Sequence, residues 1–541
     1  MDPEAAEGIV FNDAGPTSGV DFVLDNSTTD DKPVIDSVLG GLAAFDYDND
    51  GRVDLYFTNG ASMPDFDKSA PRFWNRLYRN LGDGRFEDVT ERAGVKGKGY
   101  SFGVAAADYD NDGWADLYVS GYDRNVLYRN LGNGSFEDRT EAAGATGRYR
   151  SGSGAKPWSV AGLWFDYDRD GHLDLLVVNY LDWDQQNNRV CGEPGRRLSC
   201  APDMYGETSN ILYRNRGDGT FEDVSQSTGI ASLAGKGMSA ASGDIDHDGF
   251  ADVFIANDGM RDYLLRNVEG RRFVEVAVEL GAAFNEDGVP VSSMGVALED
   301  IDNDGFQDIF ITALTNETFP LLFNQEGRGF RDTTYSSGLG LLTSPLSGWG
   351  AAIADFDNDG WKDLFTANSH VSENVESYRG IPYAQPNTIF RNNGDGRFES
   401  AVEVSPPAAH RGSAVADLNG DGRLDLVVSA IGARAEVLLN QSLNENHWVL
   451  LDLVGRRSNR DGIGAVVRVE TDSGTVQHRT AASAVGYAGS SDRRLHFGLG
   501  SAIRLERIEV RWPSGAVQTI EDAEIDRVVR IVEPEDEPER Q

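Results

Sequence analysis

The sequence predicts an all-β chain: a seven-bladed β-propeller with calcium loops, followed by a small β-sandwich-like C-terminal domain. Three observations carry this. A nine-residue pattern, D-x-[DN]-x-D-G-x-x-D, occurs seven times in 541 residues, with steps of 62, 58, 78, 56, 55 and 62 between first aspartates. Each copy is flanked by apolar, β-branched or aromatic runs bounded by Gly, Asn and Asp, the marks of short strands rather than helices. The last unit lacks an outer piece that the chain carries instead ahead of its first unit.

Within a unit, a stretch of small and apolar residues comes first, such as FGVAAA at 102–107 or WGAAIA at 349–354. The acidic loop follows, then a run such as LYF at 55–57 or LLVV at 175–178. After that come a segment like NVLYRN at 125–130, a Gly-Asp-Gly turn and F-E-D-V-T. Four short strands per unit of roughly 60 residues, seven times over, describe propeller blades. The seventh unit stops after VLLN at 437–440, while FNDAGPTSGV at 11–20 matches FEDVTERAGV at 86–95 at the Phe, Asp, Gly and Val. A ring whose N-terminal strand completes the last blade needs this offset, because closure removes a free sheet edge. A solenoid would show capping repeats instead. The propeller is expected to span 1–441.

The seven loops set oxygen ligands at alternate positions. Positions 1, 3, 5 and 9 are Asp46, Asp48, Asp50 and Asp54; Asp108, Asp110, Asp112 and Asp116; Asp166, Asp168, Asp170 and Asp174; Asp244, Asp246, Asp248 and Asp252. Then follow Asp300, Asp302, Asp304 and Asp308; Asp355, Asp357, Asp359 and Asp363; and Asp417, Asn419, Asp421 and Asp425. Position 7 (Arg52, Trp114, His172, Phe250, Phe306, Trp361 and Arg423) offers a backbone carbonyl. Gly at position 6 permits the sharp turn. Such an oxygen set suits a hard cation, calcium above magnesium, with up to seven ions. Isolated Asx-turns would also put aspartates in loops, but three or four carboxylates within nine residues repel one another without a cation. Asn419 lowers the ligand charge of the seventh loop, so that site is expected to be the weakest.

Asp+Glu outnumber Lys+Arg by 88 to 49, for a formal charge of −39. Seven divalent ions would bring this to −25, so much of the acidity is internal ligand. A surface this acidic disfavours nucleic acid and anionic lipid, and no apolar run approaches the roughly 18 residues of a membrane span. Met1-Asp2-Pro3-Glu4 is no secretory signal. The chain is either cytoplasmic or, as a secreted-type module, begins after a removed leader. Cys191 and Cys200 are two free thiols or one disulfide closing a short loop.

The acidic loops with their LYRNxGDGxFEDVT tails resemble FG-GAP/VCBS repeats, relatives of the calcium-loop blades of integrin α-subunits. The segment after Asn440 is similar to the ASPIC/UnbV domain, through HWVLLDLVG at 447–455, SNRDGIGAVVRV at 458–469, LHFGLG at 495–500 and VRWPSG at 510–515. Together they resemble the cartilage acidic protein family, with a departure at AVGYAGSSD (484–492), where a Ser would be expected at Ala488 or Gly489. Alternating segments at 448–453, 465–470, 476–480, 494–497, 508–512 and 528–532 read as a small antiparallel sandwich over 442–535. The end, 536–541, is charged and Pro-containing and reads as disordered.

Catalytic signatures are scarce. GYSFG at 99–103 has the spacing of a nucleophile elbow but no helix after it. His172 and His247 lie in the acidic loops and read as solvent-facing. Six residues before each first aspartate stand Gly40, Phe102, Val160, Met238, Met294, Trp349 and Arg411, with Trp158 close by. These are either channel packing or an aromatic pocket whose one cation, Arg411, holds a carboxylate or sugar, with His370 and His410 near. The leading function is a calcium-binding, non-enzymatic binding or adhesion module of secreted type. It would meet a protein or glycan on long loops at 61–74, 182–209 and 368–386. The alternative is a biosynthetic or carbohydrate-acting enzyme, which the UnbV resemblance ties to enediyne pathways, with a small molecule in the channel.

Overall fold

A computed structural model describes residues 8–148, 156–484 and 486–535. The expected disordered segment 536–541 lies outside these. Seven four-stranded antiparallel sheets stand around one axis. In blade 2 the strands run Tyr100–Ala107, Asp116–Tyr122, Val126–Asn130 and Phe136–Asp138 from axis to rim. The inner strands are almost wholly buried, because small residues let neighbouring blades approach. A Cβ on Gly41 would stand 2.4 Å from the Phe102 carbonyl oxygen of the next blade, and one on Gly412 would stand 2.3 Å from the Gly40 oxygen.

Closure is visible in two ways. Phe11–Asp13 pairs antiparallel with Glu436–Asn440, in register Phe11↔Asn440, and so completes the seventh sheet. An asparagine at or near the end of each third strand also donates from its side chain to the preceding blade. Asn130 reaches Tyr47 O at 2.8 Å, and across the seam Asn80 reaches Leu418 O at 2.9 Å; the bond recurs in all seven blades. One feature of the blades differs from expectation. After the outer strand, five blades carry a single helical turn, such as Thr90–Ala93, ended by a left-handed glycine such as Gly94 at φ 76°. The V-T-E-R-A-G segment holds the chain's helical cap, not more strand.

The 182–209 insertion forms a hairpin, Cys191–Glu193 with Arg196–Leu198, tied by a disulfide between Cys191 and Cys200. It reaches the 368–386 loop, where Tyr378 Oη donates to Arg196 O at 2.9 Å, and Gln185 donates to Pro64 O of the 61–74 loop at 2.6 Å. The three long loops therefore gather on one face of the ring.

The tail domain packs a three-stranded sheet on a four-stranded one. It corrects the expected antiparallel sandwich. The last strand, Arg527–Val532, runs parallel to the first, His447–Val454, because the chain crosses between sheets before returning beside its start. A strand at Val517–Ala523, polar and largely exposed, had no apolar alternation to announce it. The domain sits on the face opposite the long loops. Its segment 486–492 enters the axis as a plug. There Gly486 N donates to Val296 O, Val104 N to Ala488 O and Ser490 N to Leu42 O, at 2.9, 3.1 and 3.0 Å.

Candidate metal centres

Every acidic loop joins the end of an inner strand to the start of the second strand, and each folds alike. Position 1 accepts from the backbone N–H groups of positions 5 and 6, as Asp46 does from Asp50 (3.1 Å) and Gly51 (2.8 Å). Position 5 accepts from the N–H of position 7, as Asp50 does from Arg52 at 3.0 Å. Position 9 is buried and uses both oxygens. Asp54 accepts from Tyr47 N at 2.9 Å and from Asn80 N at 2.7 Å, linking the loop to the third strand. The turn is possible because position 6 is left-handed glycine (Gly51 φ 88°) and position 4 is left-handed as well, mostly Asn, as at Asn49 (φ 55°). An amide side chain tolerates that region better than most.

Position 3 is the exception. Buried oxygens of Asp48, Asp168, Asp246 and Asp357 have no hydrogen-bond partner. Ligand oxygens from each of at least five loops gather within 4.8 Å, from positions 1, 3 and 5 or from 1, 3 and 9. A buried carboxylate oxygen without a donor costs free energy, and a cation at the centre of each loop removes that cost. The residues fit the group. A clamp invisible to the loop pattern fixes their geometry. The arginine of the LYRN segment forks across positions 3 and 5: Arg79 reaches Asp48 at 2.6 Å and Asp50 at 3.0 Å, and Arg391 reaches Asp357 at 2.8 Å and Asp359 at 3.3 Å. Arg129 and Arg214 do the same, and Arg266 holds Asp246 at 3.3 Å. The signal was in the sequence, as an Arg three residues into each of five such segments. Blades 5 and 7 carry Phe323 and Leu439 there instead.

Burial, then neighbouring carboxylates and their hydrogen bonds, shift these acids. Desolvation pushes Asp54, Asp108 and Asp252 up to about 8, Asp166 to about 7, and Asp244, Asp302 and Asp359 to about 6. Asp116, Asp174, Asp308, Asp355, Asp363 and Asp425 are held well above the usual carboxylate range for the same reason. Seven such loops prefer protons or a cation to bare charge.

Six segments match the family described as FG-GAP-like repeat, at residues 46–119, 108–177, 200–255, 246–311, 300–366 and 378–428. The chain belongs to the FG-GAP-like repeat family. Residues 455–538 match the family described as ASPIC and UnbV. The chain is 26% identical over 529 residues to cartilage acidic protein 1 of Mus musculus, covering 93% of this chain and 75% of that one. It is 28% identical over 522 residues to the Xenopus tropicalis protein of the same name, covering 92% of this chain and 65% of the relative. It thus spans about two thirds to three quarters of these relatives. Among solved structures it is similar to an Agrocybe aegerita lectin that recognises non-reducing terminal N-acetylglucosamine (14% identity, 73% of this chain and 87% of that one, TM-score 0.41). It is also similar to the WD40 β-propeller domain of Doa1 (11% identity, 74% and 93%, TM-score 0.37).

Of the two readings of the inner-strand residues, the structure shows packing. Phe102, Val160, Met238, Met294, Trp349 and Trp158 do converge, but as one core cluster that also contains the plug residue Tyr487. Tyr487 stands edge-on to Trp349 at 5.1 Å and donates its hydroxyl to Val38 O. Arg411 is fully buried, its guanidinium 4.1 Å from the Trp349 ring, donating to Ser37 O and His410 O at 2.9 and 2.8 Å. His410 faces Glu436 at 3.2 Å, and His370 accepts from Ser372 N at 3.1 Å, with burial pulling it down to about 4. These groups are packed in the core instead of facing an open channel, because the tail domain fills the space the ring alone would leave, although Trp158 Nε1 and Arg411 Nη2 are buried without a hydrogen-bond partner. Of the loop histidines, His247 is exposed as expected and His172 is not. His172 is half-buried beside Asn111, and His247 stacks on Phe306 at 4.1 Å.

Proposed function

We propose that the chain is a calcium-loaded, non-enzymatic binding or adhesion module of secreted type, with up to seven ions in its acidic loops. The observation that carries the cation is the inward carboxylate oxygen at position 3, buried and donorless in four loops while an arginine occupies its outer partner. Calcium supplies the missing positive charge and accepts six to eight oxygens without demanding strict octahedral geometry. The loop residues orient those oxygens, and the clamp arginines keep the outer ones out of the ion's way. The disulfide supports an oxidising compartment, and no helix among the described residues is long and apolar enough to cross a membrane. The gathered loops at 61–74, 182–209 and 368–386 are the surface for a protein or glycan partner. Elemental analysis of the native protein and thermal melts with and without EDTA test the cation. Each site saturated a hundredfold above Kd adds about 2.7 kcal/mol to the folded state, so chelation should lower Tm by many degrees. A melt unmoved by EDTA in a metal-free protein would sink the reading.

A further inference from the structure

Four loops place Asn at position 4, and each donates its side-chain amide to the position-6 glycine carbonyl of the next loop: Asn49 to Gly113 O, Asn111 to Gly171 O, Asn303 to Gly360 O and Asn358 to Gly422 O, at 2.8, 3.1, 3.2 and 3.2 Å. Loops 3 and 4 place Arg169 and His247 there, the imidazole still bonded to the backbone of Gly305 in the next loop, and loop 7 has Gly420. Above loops 3 and 4 the tail domain stands off the ring, leaving a cavity of about 470 Å³ between the two domains. Its roof is the outer face of the four-stranded tail sheet. Register aligns His478, Arg468 and Glu509 in one row and Thr480, Val466 and Arg511 in the next. The two departures in residue type therefore face the tail sheet that carries Arg468 and Arg511.

Three arginines enter this cleft beside four carboxylates, Asp166, Asp244, Asp304 and Glu509. Arg169, Arg468 and Arg511 line it in a protein of net charge −39. Arg169 is held in place by donating to Pro513 O at 3.1 Å, across the domain junction. Charged groups around it are already engaged: Arg468 pairs with Glu470 at 2.9 Å, and Asp304 accepts from Phe306 N at 2.8 Å. Glu509 is shared between Arg507 (2.8 Å) and Arg511 (3.2 Å). Asp166 and Asp244 accept from the backbone of their own loops, at 3.1 and 3.0 Å from Asp170 and Gly171 and at 3.0 and 2.9 Å from Asp248 and Gly249. A guanidinium's planar fork matches an oxyanion, and clefts of this volume at domain junctions suit small ligands.

We propose that this interdomain cleft binds a small oxyanion-bearing ligand of one- or two-ring size, a carboxylate or a sulfate ester, gripped by Arg169, Arg468 and Arg511. The proposal goes beyond the cation reading and leans on it only in that bound ions offset the Asp166, Asp244 and Asp304 charges beside the cleft. The calcium-loaded full chain is titrated calorimetrically with sodium glucuronate and, separately, with sodium sulfate. One saturable site is expected for at least one of them, and which probe binds names the oxyanion. Arg511→Gln and Arg468→Gln should each weaken it at least tenfold. Arg507→Gln, on the same strand and also beside Glu509 but outside the cleft, should leave it unchanged. Arg169→Gln, in the other domain, tests the same grip should a tail variant fail to fold. No saturable site for either probe, or an equal loss in Arg507→Gln, overturns the proposal. A titration with calcium alone separates the two readings: calcium bound without either anion defeats only this one, and an anion bound at the arginines without calcium defeats only the cation reading.

Discussion

Loops 1 and 6 are nearly the same peptide, DYDNDGRVD and DFDNDGWKD, in two surroundings. Both have the position-1 turn, the left-handed Asn and the arginine clamp. In loop 1, Asn49, Asp50, Gly51 and Arg52 face solvent, whereas in loop 6, Asp355, Asp357, Asn358 and Gly360 are buried. The tail domain makes the difference. Asn444 and Asn446 donate to Asp357 O at 2.7 and 2.9 Å, and Gly500 N donates to Asn358 O at 2.8 Å. A blade's own sequence thus builds the ligand set, while the other domain decides who can reach it. On the proposed cation reading, an ion in loop 1 would leave through solvent, and one in loop 6 would leave only when the tail lifts.

The sharpest way to break this contrast is steric. A Cβ on Gly498 would meet Asp355 Oδ2 at 2.0 Å and Asn358 Cα at 2.6 Å, whereas one on Gly51 would meet nothing within 4 Å. Gly498→Ala should cost about 3 kcal/mol by overpacking and loosen the tail, read as faster proteolysis in the 441–446 connection. Gly51→Ala should cost only the left-handed backbone strain at φ 88°, about 1 kcal/mol, with the tail still docked. Equal costs with equal proteolysis would mean that the tail does not seal loop 6.

A second test uses pH. The acids are raised in the folded chain by burial, to about 8 at Asp54 in loop 1 and well above the usual carboxylate range at Asp355 in loop 6. Their ordinary value is 3.8, so between those limits the folded state without calcium binds more protons than the unfolded one. Its stability must then fall as pH rises through that window. In chelator, Tm should be lower at pH 8 than at pH 6. With calcium the order reverses, because protons compete with the ion. Hydrogen exchange at pH 8 after EDTA should show 46–54 opening before 355–363. Simultaneous opening would remove the distinction between the loops.

The seven loops and the ring closure were legible because repetition exposes them: the same nine residues recur, and 11–20 matches 86–95. The clamp arginines were legible in principle, since five LYRN-type segments carry them. What the tail does to the ring had no periodic signature. Gly498 reads as one glycine among 62, and Tyr487 as one residue in a loop that departs from its family. Their roles depend on contacts hundreds of residues away in sequence. The aromatic residues of the inner strands were placed correctly, but whether they line a pocket or form a core depended on the plug, which belongs to another domain.

The smallest expected effect lies in loop 7, which combines features of the other two. Like loop 6 it is covered, with His496 Nε2 3.0 Å from Gly422 O. Unlike either it lacks the clamp, having Leu439 where Arg79 and Arg391 stand, and its position 3 is Asn419, whose amide donates to Asp421 Oδ2 at 3.1 Å. The amide does within the loop part of what the arginine does elsewhere: it satisfies an outer oxygen of position 5. Asn419→Asp adds a ligand charge, and calcium affinity follows ligand charge, so the loaded protein should bind its weakest ion about tenfold more tightly, about 1.4 kcal/mol. The same change removes one of two donors to Asp421 Oδ2, leaving Arg423 Nη2 at 2.6 Å, and sets two carboxylates together, so the calcium-free variant should lose about 1 kcal/mol. The substitution should therefore stabilise in calcium and destabilise in EDTA, with opposite Tm shifts of similar size. The equivalent removal of charge in a clamped loop, Asp48→Asn, should weaken calcium binding and leave the free carboxylate of Asp50 still held by Arg79. If Asn419→Asp shifts Tm the same way in both conditions, the amide is not standing in for the missing clamp.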